Sequence, residues 1–174
     1  MDAETGSAYV KGKNGASWVR CAEGGRMPYS EEGSRLRQEN RAKFSGNDGP
    51  EGRALGERCI IGFGSTGGPP MNNVLYNNMY QIVQTDDYVM IMVEMAHDAR
   101  IIPIDKDHRP DAWKPWLGNS VAHWDGDVLV VETRNPHPQQ APRNVAALSD
   151  AWVVVVRVSR FAYGHILSDV AVLD

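Results

Sequence analysis

Four ionisable residues lie close together inside an otherwise apolar part of the sequence. Glu94, His97, Asp98 and Arg100 interrupt a segment that is rich in methionine, valine and isoleucine. A folded protein keeps charges in such a place when they face water, pair with one another or serve a site. The cluster is therefore the first candidate for proton-transfer chemistry.

Glu94 and His97 are the candidate catalytic residues of this cluster. Strand alternation puts Tyr88, Met90, Met92 and Glu94 on one face, so we expect Glu94 to point into the interior or into the mouth of a cavity. A desolvated carboxylate there has a raised pKa unless a cation reaches it. The imidazole of His97 titrates near neutrality, so both side chains suit general acid/base catalysis.

Asp98 and Arg100 are expected in supporting roles. Aspartate is a good turn residue because its side chain caps nearby backbone N–H groups, and we expect Asp98 to shape the turn and hold Arg100. Other interpretations stay open: a structural Glu94–Arg100 pair that closes a hairpin, a Glu94 exposed at the strand end, and a His97 bonded only to backbone.

Metal chemistry has weaker support in the sequence. His97, Asp98, His108, His123 and His137 supply enough ligands in number. No pair among them has the i, i+2 or i, i+4 spacing that is typical of a local metal motif. We therefore predict no protein metal site and no cofactor.

Aromatic residues are concentrated around the same block and supply the candidate ligand-binding residues. These are Tyr80, Tyr88, Trp116 and Trp124. Aromatic side chains at the mouth of a barrel suit an apolar or planar ligand. Trp116 lies in a proline-flanked loop and is the residue most readily placed over a pocket. Ordinary core and edge packing is the alternative for each of them.

Short β-rich runs separated by turn signals fill residues 71–174. Hairpins are expected with Asp86–Asp87 and Asp125–Gly126 at their tips, and a last one joins 151–161 to 165–173. About seven strands in sequential hairpins predict a mainly β fold. The expected form is an antiparallel meander that makes a lipocalin-like barrel or a strongly bent sheet, with a β-sandwich as the runner-up.

Residues 1–70 are predicted to form an irregular arm, because they hold most of the glycines and few apolar runs. One short helix is expected over 30–44, with Ser30 as N-cap and acidic residues in the first turn. The glycine- and proline-rich loop 62–70 is not a phosphate loop, since it lacks the GK[ST] sequence.

The overall charge and hydropathy exclude several classes. The net charge is −4 and the pI about 5.7, so no global basic field indicates nucleic acid. No apolar run reaches the ~18–20 residues that span a bilayer. We expect a soluble cytoplasmic protein, or a periplasmic or secreted one if a leader has been removed. A disulfide between Cys21 and Cys59 stays open, and the apolar context of Cys59 favours a small core residue.

Several motifs together carry a family resemblance. GERCI (56–60), YNNMYQIVQT (76–85), VEMAHDARIIPID (93–105) and HWDGDVLVVET (123–133) resemble a family of uncharacterised bacterial β-rich proteins. The specific feature is HDARIIP followed by a W-[DE]-GD-x-LVVET hairpin, and the resemblance covers about residues 55–174. It implies a shared β-rich fold, and the family has no agreed activity.

Three classes of function follow from these patterns. A small-molecule enzyme of the isomerase or lyase type needs Glu94 and His97 convergent on a cavity that holds an apolar or aromatic substrate. A lipocalin-like binder needs only a cavity lined by tryptophan and tyrosine, with the ionisable cluster outside it. An interaction or structural protein, expected as a homodimer, needs an apolar surface patch, for which the valine-rich strand 153–156 is the candidate.

Overall fold

The computed structural model describes residues 8–10, 13–15, 29–43, 49–62, 67–71, 76–140 and 152–173. The helix and strands of the chain, in order, are β1 (Ala8–Val10), β2 (Lys13–Gly15), α1 (Glu31–Lys43), β3 (Tyr80–Gln84), β4 (Tyr88–Val93), β5 (Ala99–Pro103), β6 (Asn119–Asp125), β7 (Val128–Arg134), β8 (Val153–Ala162) and β9 (His165–Leu173). The chain divides into two compact units, Met1–Arg35 and Leu36–Asp174. The compositional boundary near residue 70 stays a prediction.

Helix α1 begins where its capping residue indicates. The Ser30 hydroxyl accepts a hydrogen bond from the Gly33 backbone N–H at 3.0 Å, which satisfies one of the free donors of the first turn. Glu31 and Glu32 follow in that turn, where acidic side chains suit the helix dipole. No helix in the described part of the chain is long and apolar enough to cross a membrane.

The fold is mainly β and antiparallel, as predicted. The hairpins β3–β4, β6–β7 and β8–β9 are all present. The first turn is fixed by the Thr85 N–H, which donates to the Tyr88 carbonyl at 2.9 Å. In the second, Gly126 has a φ of +60°, a left-handed conformation that glycine adopts without strain.

Apart from the two-stranded sheet β1–β2, the described strands form two open sheets and do not close into a barrel. One sheet has the order β3-β4-β5 and the other β6-β7-β8-β9. A single parallel bridge between Ile104 and Ala122 connects them. The two sheets stay separate because the long segment 105–118 lies between β5 and β6. A tight turn there would have continued the meander.

Both sheets contribute to one apolar core. Val89, Ile102 and Val131 are at most 1% exposed, and Trp152 is fully buried among them. Each such side chain contributes ~1.5–3 kcal/mol relative to exposure. Residues from three strands of the first and second sheets therefore hold the two sheets against each other.

The valine-rich strand does not form the expected surface patch. Val154 and Val156 lie in the core at 0% and 2% exposure, whereas Val153 and Val155 on the other face are half-buried. Strand alternation therefore turns half of this run inward. The prediction of an exposed apolar patch at 153–156 was wrong.

Candidate ligand-binding cavity

A cavity of about 660 Å³ lies where β5 and β6 separate. Apart from the Ile104–Ala122 bridge, the described residues make no backbone ladder between these two strands. Residues 99–101 of β5 and 119–121 of β6 line the cavity. Its volume falls within the ~300–1,000 Å³ of typical small-molecule sites.

One wall of the cavity is the outer face of the first sheet. Tyr88 and Pro103 are direct partners in the β4–β5 register, and both line the cavity together with Ile101. Alternation turns Arg100 and Ile102 inward, so Ile101 points out and is 68% exposed. An apolar side chain this exposed gives the cavity a hydrophobic surface.

The segment 105–118 supplies the aromatic wall. Trp113 and Trp116 both line the cavity. The Trp116 ring stacks on the His137 ring with centroids 3.8 Å apart, and the Arg109 guanidinium lies 4.9 Å from the Trp113 ring centroid. Burial lowers the pKa of His137, so its neutral ring is favoured in this stack.

Hydrogen bonds to the second sheet hold this segment in place. The Asn119 side-chain amide donates to the Arg109 carbonyl at 3.0 Å, and the Asn135 amide donates to Asp111 at 2.8 Å. His108 Nε2 lies 3.1 Å from Glu132 Oε1. These bonds tie the segment 105–118 to β6, to β7 and to the residue that follows β7.

Arg100 is a buried cation that no carboxylate neutralises among the described residues. Its Nη2 donates to the hydroxyls of Ser120 at 3.0 Å and Thr133 at 3.1 Å. Burial lowers its pKa to about 10, which leaves it charged at neutral pH. The predicted pairing with Glu94 or Asp98 was wrong, because the side chain reaches across to the second sheet instead.

The Asp98 side chain bonds a distant loop and not the turn that it was expected to shape. Its carboxylate accepts a hydrogen bond from the Gly62 backbone N–H at 2.6 Å. Burial raises the pKa of Asp98, and the bond from Gly62 partly opposes that rise. Gly67 also packs closely here, since a Cβ at that position would lie 2.6 Å from the Asp98 Cβ.

Glu94 and His97 are exposed and do not line the cavity. β4 ends at Val93, and the backbone then enters a 3₁₀ turn in which Ala96 and His97 have φ values of +58° and +57°. This turn ends the strand alternation, so the expectation that Glu94 points inward was wrong. Their catalytic roles stay a prediction.

The predicted aromatic residues divide into two groups. Tyr88 and Trp116 line the cavity, whereas Tyr80 and Trp124 do not. Tyr80 is half-buried; burial raises the pKa of its phenol, and the charge of Arg100 acts in the opposite direction. Trp124 lies near the Gly126 turn and is 43% exposed.

The five potential metal ligands of the sequence are dispersed or occupied by other contacts. Among the described residues, no group of three histidine, cysteine, aspartate or glutamate side chains could hold a metal ion. His108 contacts Glu132, and His137 stacks on Trp116. Cys59 is an exposed free thiol, so its predicted place in the core was wrong, and Cys21 lies outside the described residues.

Sequence reasoning missed part of the cavity lining. Ile101 could have been found from the alternation within β5, which sets it opposite Arg100 and Ile102. Lys106 and Arg109 are ordinary loop cations in the sequence. Ser120 carries no local signal, because its contact with Arg100 depends on how the two sheets meet.

Comparisons of the chain with protein-family models, with curated proteins and with solved structures give no match. The family resemblance of the sequence motifs stays a prediction.

Proposed function

We propose that this protein binds a small planar apolar or aromatic molecule in the cavity between β5 and β6. The observation that carries the proposal is the lining: Tyr88, Trp113 and Trp116 are set around one cavity of ligand size. Aromatic rings bind planar molecules by offset stacking and by edge contacts. Among the described strands, β5 and β6 are edge strands, so their backbones add hydrogen-bonding groups that can orient a ligand.

The fixed loop supports the same function. Hydrogen bonds from Asn119 and Asn135 hold the segment 105–118. A binding wall that is already ordered loses less conformational entropy when the ligand arrives. The proposed function is therefore ligand binding, as in a lipocalin-like protein. The ligand would lie between two open sheets and not inside a barrel.

Binding without catalysis has better support than acid/base chemistry. Glu94 and His97 do not line the cavity, and a general acid or base must reach the proton it transfers. An isomerase or lyase activity would need both side chains to move. We therefore restrict the proposal to binding.

The test is an NMR titration of the ¹⁵N-labelled protein with the neutral planar probe 2-naphthamide. Each of the five tryptophans gives one indole N–H signal, assigned from single Trp→Phe variants. The signals of Trp113 and Trp116 should shift, while those of Trp124 and buried Trp152 stay in place. Shifts at Trp124 alone, or none at saturating probe, would contradict the proposal.

A second candidate function is protein–protein interaction through β9. Every described residue of this strand is exposed, and it pairs only with β8 among the described strands. Ile166, Val170 and Val172 are 63%, 44% and 36% exposed. An open apolar edge is a template for pairing with another strand. A second copy of β9, antiparallel about a two-fold axis, would satisfy both edges.

Light scattering after size-exclusion chromatography tests this homodimer. A dimeric wild type that Val170→Lys converts to a monomer would support it. Ile82→Lys on β3, an edge strand of the three-stranded sheet, is the matched control, because Ile82 is 46% exposed and Val170 44%. A monomeric wild type at all concentrations would contradict it.

A further inference from the structure

The starting point is the unused hydrogen-bonding capacity of Arg100. A guanidinium has five N–H donors, and Nη2 uses its own on Ser120 and Thr133. Nε and Nη1 are buried and have no partner among the described residues. A buried charge without a counter-charge is costly, so it points to a group that is bound there in function.

Arg100 and its partner Ser120 both belong to the cavity lining, and the guanidinium itself is turned inward, with Nε and Nη1 buried. Ser120 also bonds Thr133 at 2.9 Å, so the two hydroxyls fix the position of the guanidinium from the β6–β7 side. The cation is thus held at the place where the two strands separate, next to the proposed binding space.

Two further cationic side chains line the same cavity. Lys106 and Arg109 line it and are exposed, and neither forms an ion pair with a described residue. Arg109 is positioned by its stacking on Trp113 and by the Asn119 bond to its carbonyl. The acidic residue of the lining is Asp107, so cations outnumber it in a chain whose net charge is −4.

We propose that the ligand of this cavity is an aromatic carboxylate, with its ring between Tyr88, Trp113 and Trp116 and its carboxylate toward Arg100, Lys106 and Arg109. This inference rests on the proposed binding function and names the chemical class of the ligand. A carboxylate matches the planar fork of a guanidinium, and such charge-assisted bonds are about twice as strong as neutral ones.

The test compares 2-naphthoate with the isosteric neutral 2-naphthamide by isothermal titration calorimetry in low salt. The carboxylate should bind about tenfold tighter than the amide, as expected for charge-assisted contacts. Equal affinities would overturn the carboxylate assignment and leave the binding function intact. No binding of either probe would overturn both. Tighter binding of 2-naphthyl phosphate than of 2-naphthoate would assign a phosphate ligand and overturn the carboxylate.

Substitutions that remove single charges show which cation causes the preference for 2-naphthoate. Lys106→Gln should reduce the preference for 2-naphthoate over 2-naphthamide several-fold, whereas Lys114→Gln should leave it unchanged. Lys114 is the matched control, because it is exposed on the same segment but does not line the cavity. Arg100→Gln should abolish most of the preference for 2-naphthoate. If this variant fails to fold, the comparison of Lys106→Gln with Lys114→Gln decides the test. An unchanged preference in Lys106→Gln and in folded Arg100→Gln would overturn the inference.

Discussion

Replacing Arg100 with methionine should leave the free energy of unfolding unchanged to within ~1 kcal/mol, or raise it. This outcome is unusual for a residue that is only 4% exposed in the core region. It follows if Arg100 serves a ligand, because the unliganded fold then carries a charge that it does not neutralise.

The magnitude comes from the contacts of the guanidinium. Its two hydrogen bonds, to Ser120 and Thr133 at 3.0 and 3.1 Å, are worth ~1.5–3 kcal/mol each, so their loss costs ~3–6 kcal/mol. The three buried N–H groups on Nε and Nη1 have no partner among the described residues, and removing each relieves ~1–3 kcal/mol. The cost of the two lost hydrogen bonds and the relief from removing the three N–H groups are therefore of similar size. Ser120 and Thr133 also keep their mutual bond in the variant.

Urea unfolding with linear extrapolation measures the difference. Thr133→Val is the control, since it keeps the cation and removes one of its acceptors, and it should cost ~1–3 kcal/mol. The order of the two costs is decisive: Thr133→Val should lower the free energy of unfolding more than Arg100→Met does. A loss of about 3 kcal/mol or more in Arg100→Met, with a nearly neutral Thr133→Val, would refute the reasoning and make Arg100 a structural residue.

Two further substitutions test the cavity wall. Gly118 has a φ of +77°, and an added Cβ would lie 2.6 Å from the Thr133 side chain, so Gly118→Ala should cost ~2–4 kcal/mol in urea unfolding. Gly126→Ala, with φ +60° and nothing within 4 Å, should cost only the ~1–2 kcal/mol of the left-handed backbone; equal costs would contradict the steric part. The neutral ring of His137 accepts the Gln139 N–H at 3.2 Å, and burial lowers its pKa. The neutral ring therefore stabilises the fold fully above pH ~6.5, the ordinary pKa of histidine. This stabilisation is lost over the pH window below it, as the pH falls through the lowered pKa of His137. His137→Phe keeps the stacked ring and should flatten the pH dependence of the unfolding midpoint in that window, so an unchanged slope would contradict this role.

The strands could be predicted from the sequence because their signals are local. Alternating apolar residues and the Asp125–Gly126 turn define β6 and β7 without any tertiary information. The cap of α1 is equally local, since Ser30 bonds a backbone N–H three residues on. Trp116 was placed over a pocket from its proline-flanked loop, and it does line the cavity.

The assembly of the sheets could not be predicted, because it depends on contacts that are distant in the sequence. The partners of Arg100 are Ser120 and Thr133, which lie on two strands of the other sheet. Glu94 was misplaced for a local reason that the sequence hides: its own backbone is already helical, at φ −60° and ψ −38°, and left-handed conformations follow at Ala96 and His97. Alanine carries no signal for a positive φ, and the enrichment of histidine there is too general to place a turn.

The affinity of 2-naphthamide for two tryptophan variants tests the central claim most directly. Trp113 and Trp124 are 45% and 43% exposed, but only Trp113 lines the cavity. Trp113→Ala should weaken binding about tenfold, which corresponds to ~1.4 kcal/mol of lost stacking. Trp124→Ala should change it by less than about twofold. Equal losses in the two variants, or a loss in Trp124→Ala alone, would contradict a binding site between β5 and β6.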